Sequence, residues 1–186
     1  LKSRALFAQG DIAAAIKTLE KNWKKSHETF FYLANYYARS KDLSTAIMYG
    51  EKSLQKHENI SALKLLVRLY WQNNQQEKSL ALLSNWLINN EYDNSIRKVY
   101  ANLLSQLNQV DNSIIQYNIV LKNKPDDVFS LNNLALLLLD KKDNKPALEL
   151  AQKAVELAPL DAIVNDTLGW ILVSQGKASE GLIYLR

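Results

Sequence analysis

Apolar residues recur along this chain at steps of three and four, and the whole pattern recurs about every 34 residues. The clearest unit runs from Val128 to Asp161. It sets Leu131, Leu134 and Leu138 on one stripe, then Ala147, Ala151 and Ala154 on a second, and closes near Pro159. Such steps place side chains on one face of an α-helix, so each unit predicts two amphipathic helices. One period forward the stripe reads Asn165, Leu168, Gly169, Leu172, then Gly181 and Leu185. One period back it reads Arg97, Tyr100, Ala101, Leu104, then Ser113, Tyr117 and Val120. Earlier copies are Leu63, Leu66, Val67, Tyr70 with Ser79, Leu83, Trp86, and Phe30, Leu33, Ala34, Tyr37 with Ala46, Gly50. The N-terminal stretch matches only the second half, through Gly10, Asp11, Ala15 and Leu19. The expected helices are 28–40, 43–57, 61–73, 76–89, 94–107, 110–123, 127–140, 144–157 and 161–174. They group into repeats 27–59, 60–93, 94–127 and 128–161, with partial repeats at 1–26 and 162–186, in one domain over 1–186.

Two columns of small residues say how the helices of a pair meet. Ala15, Ala46, Ser79, Ser113, Ala147 and Gly181 share one repeat position; Ala34, Val67, Ala101, Ala135 and Gly169 share another. Bulk at either would push the two axes beyond the usual separation of about 8–10 Å. Trp86 and Val120 stand where the repeat is otherwise small and predict irregular packing. Asp11, Asp42 and Asp143 are placed to cap second helices. Pro146 falls in a first turn, and Pro125 and Pro159 mark helix ends.

The Leu168-Gly169 and Tyr37 positions, the small columns and the closing prolines together resemble the tetratricopeptide repeat family over nearly the whole chain. The resemblance implies an all-α, right-handed solenoid of about five and a half antiparallel hairpins. First helices would line a concave groove, and the groove would hold a protein or peptide partner. The positions it assigns to the groove include Asn35, Lys64, Arg68, Trp71, Lys98, Asn102, Phe129, Asn132 and Trp170. The middle, with Lys64, Arg68, Lys98 and Asn102, is polar and basic and suits an acidic segment; Phe129, Leu136, Leu139, Ile163 and Trp170 make the end apolar. Further helix is expected to cover that end. The family's carboxylate clamp is matched only in part, by Lys98, Asn102 and Asn133, because Ile163 and Thr167 stand where its last two cations belong. A narrower stretch, from Asn132 through Ala158-Pro159 to Leu172, is similar to bacterial repeat lipoproteins of PEP-CTERM exopolysaccharide export systems. That likeness implies an envelope or periplasmic location, with the cytoplasm as the alternative.

Composition narrows the function classes. With 47% hydrophobic and 23% charged residues the chain has an ordinary globular balance, and five glycines and three prolines leave little room for linker. The net charge of +4 is scattered, which gives nucleic-acid binding no support. The absence of cysteine excludes disulfides and thiolate metal sites. The longest apolar run, Leu134 to Leu139, is far shorter than the roughly 20 residues of a membrane span. His27 and His57 read as turn residues, Asp126-Asp127 as a helix cap, and the isolated glycines form no phosphate loop. No cofactor, metal or catalytic constellation is expected. The chain begins at Leu1 without a methionine, and it is expected to be a piece of a longer protein. The reading is a non-catalytic interaction scaffold; the alternative is a substrate-presenting or regulatory segment of a larger enzyme such as a glycosyltransferase.

Overall fold

The computed structural model describes residues 2–21 and 26–185, so the edges of the partial repeats, at 1, 22–25 and 186, lie outside the described residues. Twelve helices and no strand occur among the described residues. The first six are α1 (Lys2–Ala8), α2 (Ile12–Lys21), α3 (His27–Arg39), α4 (Leu43–Lys56), α5 (Ile60–Gln72) and α6 (Gln76–Asn89). The others are α7 (Asn94–Gln106), α8 (Val110–Asn123), α9 (Val128–Asp140), α10 (Asn144–Leu157), α11 (Ala162–Ser174) and α12 (Ala178–Gly181). All nine predicted helices are present with ends shifted by no more than one residue. The N-terminal half-match proves to be a full hairpin, because α1 supplies its first helix.

One turn chemistry joins every first helix to its second. Three residues separate them, and the middle one is left-handed: Gly10, Lys41, Asn74, Asn108, Lys142 and Gly176. The next residue sends its N–H back to the helix. Asp42 donates to the Tyr37 carbonyl at 3.0 Å, Gln75 to Tyr70 at 2.8 Å, and Asp143 to Leu138 at 2.8 Å. These bonds satisfy carbonyls that the helix end leaves open, and the chain reverses into an antiparallel hairpin. First helices open on side-chain caps: Ser26 accepts from the Thr29 N–H, Asn59 from Ala62, Asp127 from Ser130 and Asp161 from Ile163.

The small columns face each other as expected. Ala15, Ala34, Ala46, Ser79, Ala101, Ser113, Ala135 and Ala147 are all fully buried. The two serines keep the contact polar without leaving a donor idle: Ser79 Oγ donates to the Val67 carbonyl at 2.9 Å and Ser113 Oγ to the Ala101 carbonyl at 2.8 Å. At the last hairpin the backbones come closer still. A methyl on Gly181 would lie 2.6 Å from the Gly169 carbonyl oxygen, so α11 and α12 meet through glycine on both sides.

The chain divides into two compact units, Leu1–Trp86 and Leu87–Arg186. The division falls within α6 at Trp86, one of the two bulky residues in a small column; the other, Val120, is fully buried. In the first unit Ala34, Ala46, Ile47, Leu65, Leu66 and Leu69 form a core between α3, α4 and α5. Repeat-equivalent tyrosines lock neighbouring hairpins there: Tyr37 donates to Glu20 at 2.7 Å and Tyr70 to Glu51 at 2.6 Å. In the second unit Ala135, Ala147, Ala151, Leu168, Ile171 and Leu172 hold α9, α10 and α11 together.

Candidate functional site: two first-helix faces

In the first unit, helices α1, α3 and α5 line a cavity of about 520 Å³. Its charged residues are Arg4, Arg39 and Arg68, and no carboxylate lines it. The walls are aromatic: Phe7, Phe31, Tyr32 and Tyr36. Phe7 stacks on Tyr36 with centroids 4.3 Å apart, and the Arg4 guanidinium lies 5.6 Å above the Tyr32 ring. Burial pushes the Tyr36 hydroxyl above its ordinary pKa, and the charged residues of the cavity are the arginines. All three arginines are exposed, and none has an ion-pair partner among the described residues. Asn35, half-buried, donates to the Phe31 carbonyl at 2.8 Å. Gln72 completes the polar rim. The arrangement can take up negative charge through planar, bidentate donors while burying an apolar or aromatic group between rings.

Of the groove residues expected in this unit, Asn35 and Arg68 line the cavity. Lys64 is exposed one turn before Arg68, and Trp71 is half-buried outside the lining. Arg4, Phe7, Tyr32 and Tyr36 were not anticipated as site residues. A signal existed. Gly10 and Lys41 occupy the same turn position, so counting back 31 residues from Asn35 lands on Arg4. Arg4, Asn35 and Arg68 are one repeat position on three successive first helices.

The second unit presents different chemistry at the same positions. Lys98 is committed within the fold: its ammonium lies 2.8 Å from Asp127 Oδ2 and 5.7 Å from the Phe129 ring centroid. Asp127 also accepts from the Ser130 N–H at 3.0 Å as it caps α9. Burial alone would raise its pKa, but the bonds from Lys98 and Ser130 outweigh that and hold the carboxyl below its ordinary value. Asn102 is half-buried. Asn132 is only 6% exposed, and its Oδ1 finds no donor. Phe129 and Trp170 are open to solvent at 48% and 57%, beside Ile163 at 69%. Asn133, one of the clamp positions, donates to the Phe129 carbonyl instead.

The two histidines come together where α3 begins and α4 ends, with ring centroids 4.9 Å apart. No group of three or more histidine, aspartate or glutamate residues suited to a metal ion occurs among the described residues. No described helix is long and apolar enough to cross a membrane.

Residues 99–162 match the profile of the tetratricopeptide repeat. Residues 99–162 thus carry the tetratricopeptide repeat, and the hairpins on either side share its fold. It is 32% identical over 119 residues to the TPR repeat-containing protein PA4667 of Pseudomonas aeruginosa. That match takes in 61% of this chain and 20% of the relative, so the chain spans about a fifth of that protein's length. A tetratricopeptide repeat protein from Parabacteroides merdae superposes on 98% of this chain and 74% of its own, with a TM-score of 0.79 at 18% identity. YrrB, a TPR protein with an unusual peptide-binding site, covers 87% of this chain and 86% of its own, with a TM-score of 0.65 at 20% identity. At these identities the structural likeness establishes the fold.

Proposed function

We propose that this repeat protein is a non-catalytic scaffold that captures an acidic peptide segment of a partner protein on the first-helix face of its first unit. The observation that carries this reading is the cavity where Arg4, Arg39 and Arg68 surround aromatic walls with no carboxylate among them. A segment with carboxylates beside an apolar side chain meets both demands at once. Lys64, exposed one turn from Arg68, extends the positive rim. Lys98 serves the fold through Asp127 and adds nothing to this capture. The likeness of residues 132–172 to export-system lipoproteins supports an envelope setting for the partner, which fractionation of the native cell tests.

Exposed ion pairs contribute roughly 0–1 kcal/mol each, so capture needs several arginines together and weakens with salt. The test is capture of the native partner by the full chain. Arg39→Ala with Arg68→Ala should lose the partner and keep the fold, and Lys98→Met should retain it. Retention of the partner by the double variant would move the site elsewhere.

A further inference from the structure

We infer that the first-helix face of the second unit is a separate docking surface, shaped for an amphipathic helix whose apolar stripe is flanked by lysine or arginine. It goes beyond the acidic-segment reading and stands on different residues.

The face is set by α9 and α11, whose equivalent positions lie side by side. Phe129 and Ile163 hold one repeat position, 34 residues apart, as do Leu136 and Trp170. Phe129, Ile163 and Trp170 are about half to two-thirds exposed, a concentration of large apolar surface that needs a reason in a folded unit. From Phe129 to Leu139 the stripe is ten residues, or about 15 Å of helix. That length matches two to three turns of a partner helix anchored at the usual three- and four-residue steps.

Charge decides what covers it. Neither α9 nor α11 contains a lysine or arginine; their only charged residues are Asp140 and Asp166, both exposed. Asp166 sits on the exposed stripe between Ile163 and Trp170. The nearest cation from α7, Lys98, is already neutralised by Asp127. The second unit as a whole has 10 Lys and Arg against 12 Asp and Glu, while the first has 13 against 7. An acidic segment of the kind proposed for the first unit therefore finds no counter-charge here.

A second observation points the same way. Asn132 lies on the same stripe, one turn from Phe129 and one from Leu136. Its Oδ1 is buried without a donor, an arrangement that costs free energy unless something supplies one. A lysine or arginine from the partner helix supplies that donor.

The test uses the full chain and three labelled helical peptides. One has a leucine stripe flanked by lysines, one the same stripe flanked by glutamates, and one the lysines with serine in place of leucine. Fluorescence anisotropy should show saturable one-to-one binding of the leucine–lysine peptide, about tenfold weaker binding of the glutamate form, and none of the serine form. Ile163→Ala and Trp170→Ala should each weaken the first peptide about tenfold, as truncation of a central anchor does. Asp166→Asn, a surface change that leaves the core intact, should weaken the lysine peptide and spare the glutamate one. Arg39→Ala with Arg68→Ala should leave this binding unchanged, which separates it from capture at the first unit. Equal binding of the lysine and glutamate peptides, or indifference to Ile163→Ala and Trp170→Ala, would overturn the inference. So would a concentration-dependent dimer, seen by sedimentation, that Ile163→Asp dissolves, because the face would then belong to a second copy of the chain.

Discussion

At the scale of single residues, close approach and charge pairing each place a demand that one atom can violate. The Gly169–Gly181 contact is backbone to backbone, and a methyl 2.6 Å from a carbonyl oxygen cannot be absorbed by a side-chain turn. Gly181→Ala should therefore lower stability by about 1–3 kcal/mol, the usual cost of overpacking. An unchanged denaturation midpoint would show that α12 is not held against α11. Asp127 makes a different demand. Its carboxyl is held below its ordinary pKa, so its charge stabilises the fold fully above the unfolded value, about 4, and that stability is lost as pH falls through the lower folded value. Asp127→Asn keeps an oxygen for the cap but loses the ion pair. Its melting temperature should sit below wild type from neutral pH down to mild acid, and the gap should close below about pH 4. A gap independent of pH would assign the effect to the cap alone.

At the scale of elements, the repeat was readable because each hairpin writes the same instructions. The small columns, the caps and the 34-residue step located helix ends to within one residue. The short α1 escaped because its stripe is too brief to show periodicity. It contributes Ser3, buried at the position that Ala34 holds in the next repeat, and a single repeat-sized offset would have exposed it. The left-handed turn residue was less visible. Glycine or asparagine fills four of six such sites, but Lys41 and Lys142 fill the others at φ of 67° and 62°. A side chain with a Cβ there costs roughly 1–2 kcal/mol, partly offset by the extra freedom glycine has when unfolded. Lys142→Gly should raise stability by up to about 1 kcal/mol. A drop would mean that the turn depends on the lysine side chain.

At the scale of the whole molecule, the partition of chemistry between the units matters more than the net charge. A net charge of +4 conceals a basic first unit and a mildly acidic second one. Reading groove positions from the repeat found Arg68 and Asn35 on the cavity and Phe129 and Trp170 on the open apolar face. It could not foresee that Lys98 would spend its charge on Asp127, because the partners are 29 residues apart in the chain. Nor could it foresee Asn132 sinking to 6% exposure, since burial within a face depends on the bulk of neighbouring side chains rather than on register. Arg4 and Phe7 were missed together with the first helix that carries them.

On the proposed reading, the first unit captures acidic, aromatic-bearing segments through its three arginines. The most direct measurement is the binding isotherm of a labelled peptide with phenylalanine between glutamates, taken with the full chain and with Arg39→Ala/Arg68→Ala at two salt concentrations. The wild type should bind the peptide and lose affinity as salt rises. The variant should bind about tenfold more weakly, with a shallower salt dependence, and a peptide with glutamine for glutamate should behave like the variant. Equal affinity for wild type and variant, or equal affinity for the glutamate and glutamine peptides, would contradict capture by the arginines.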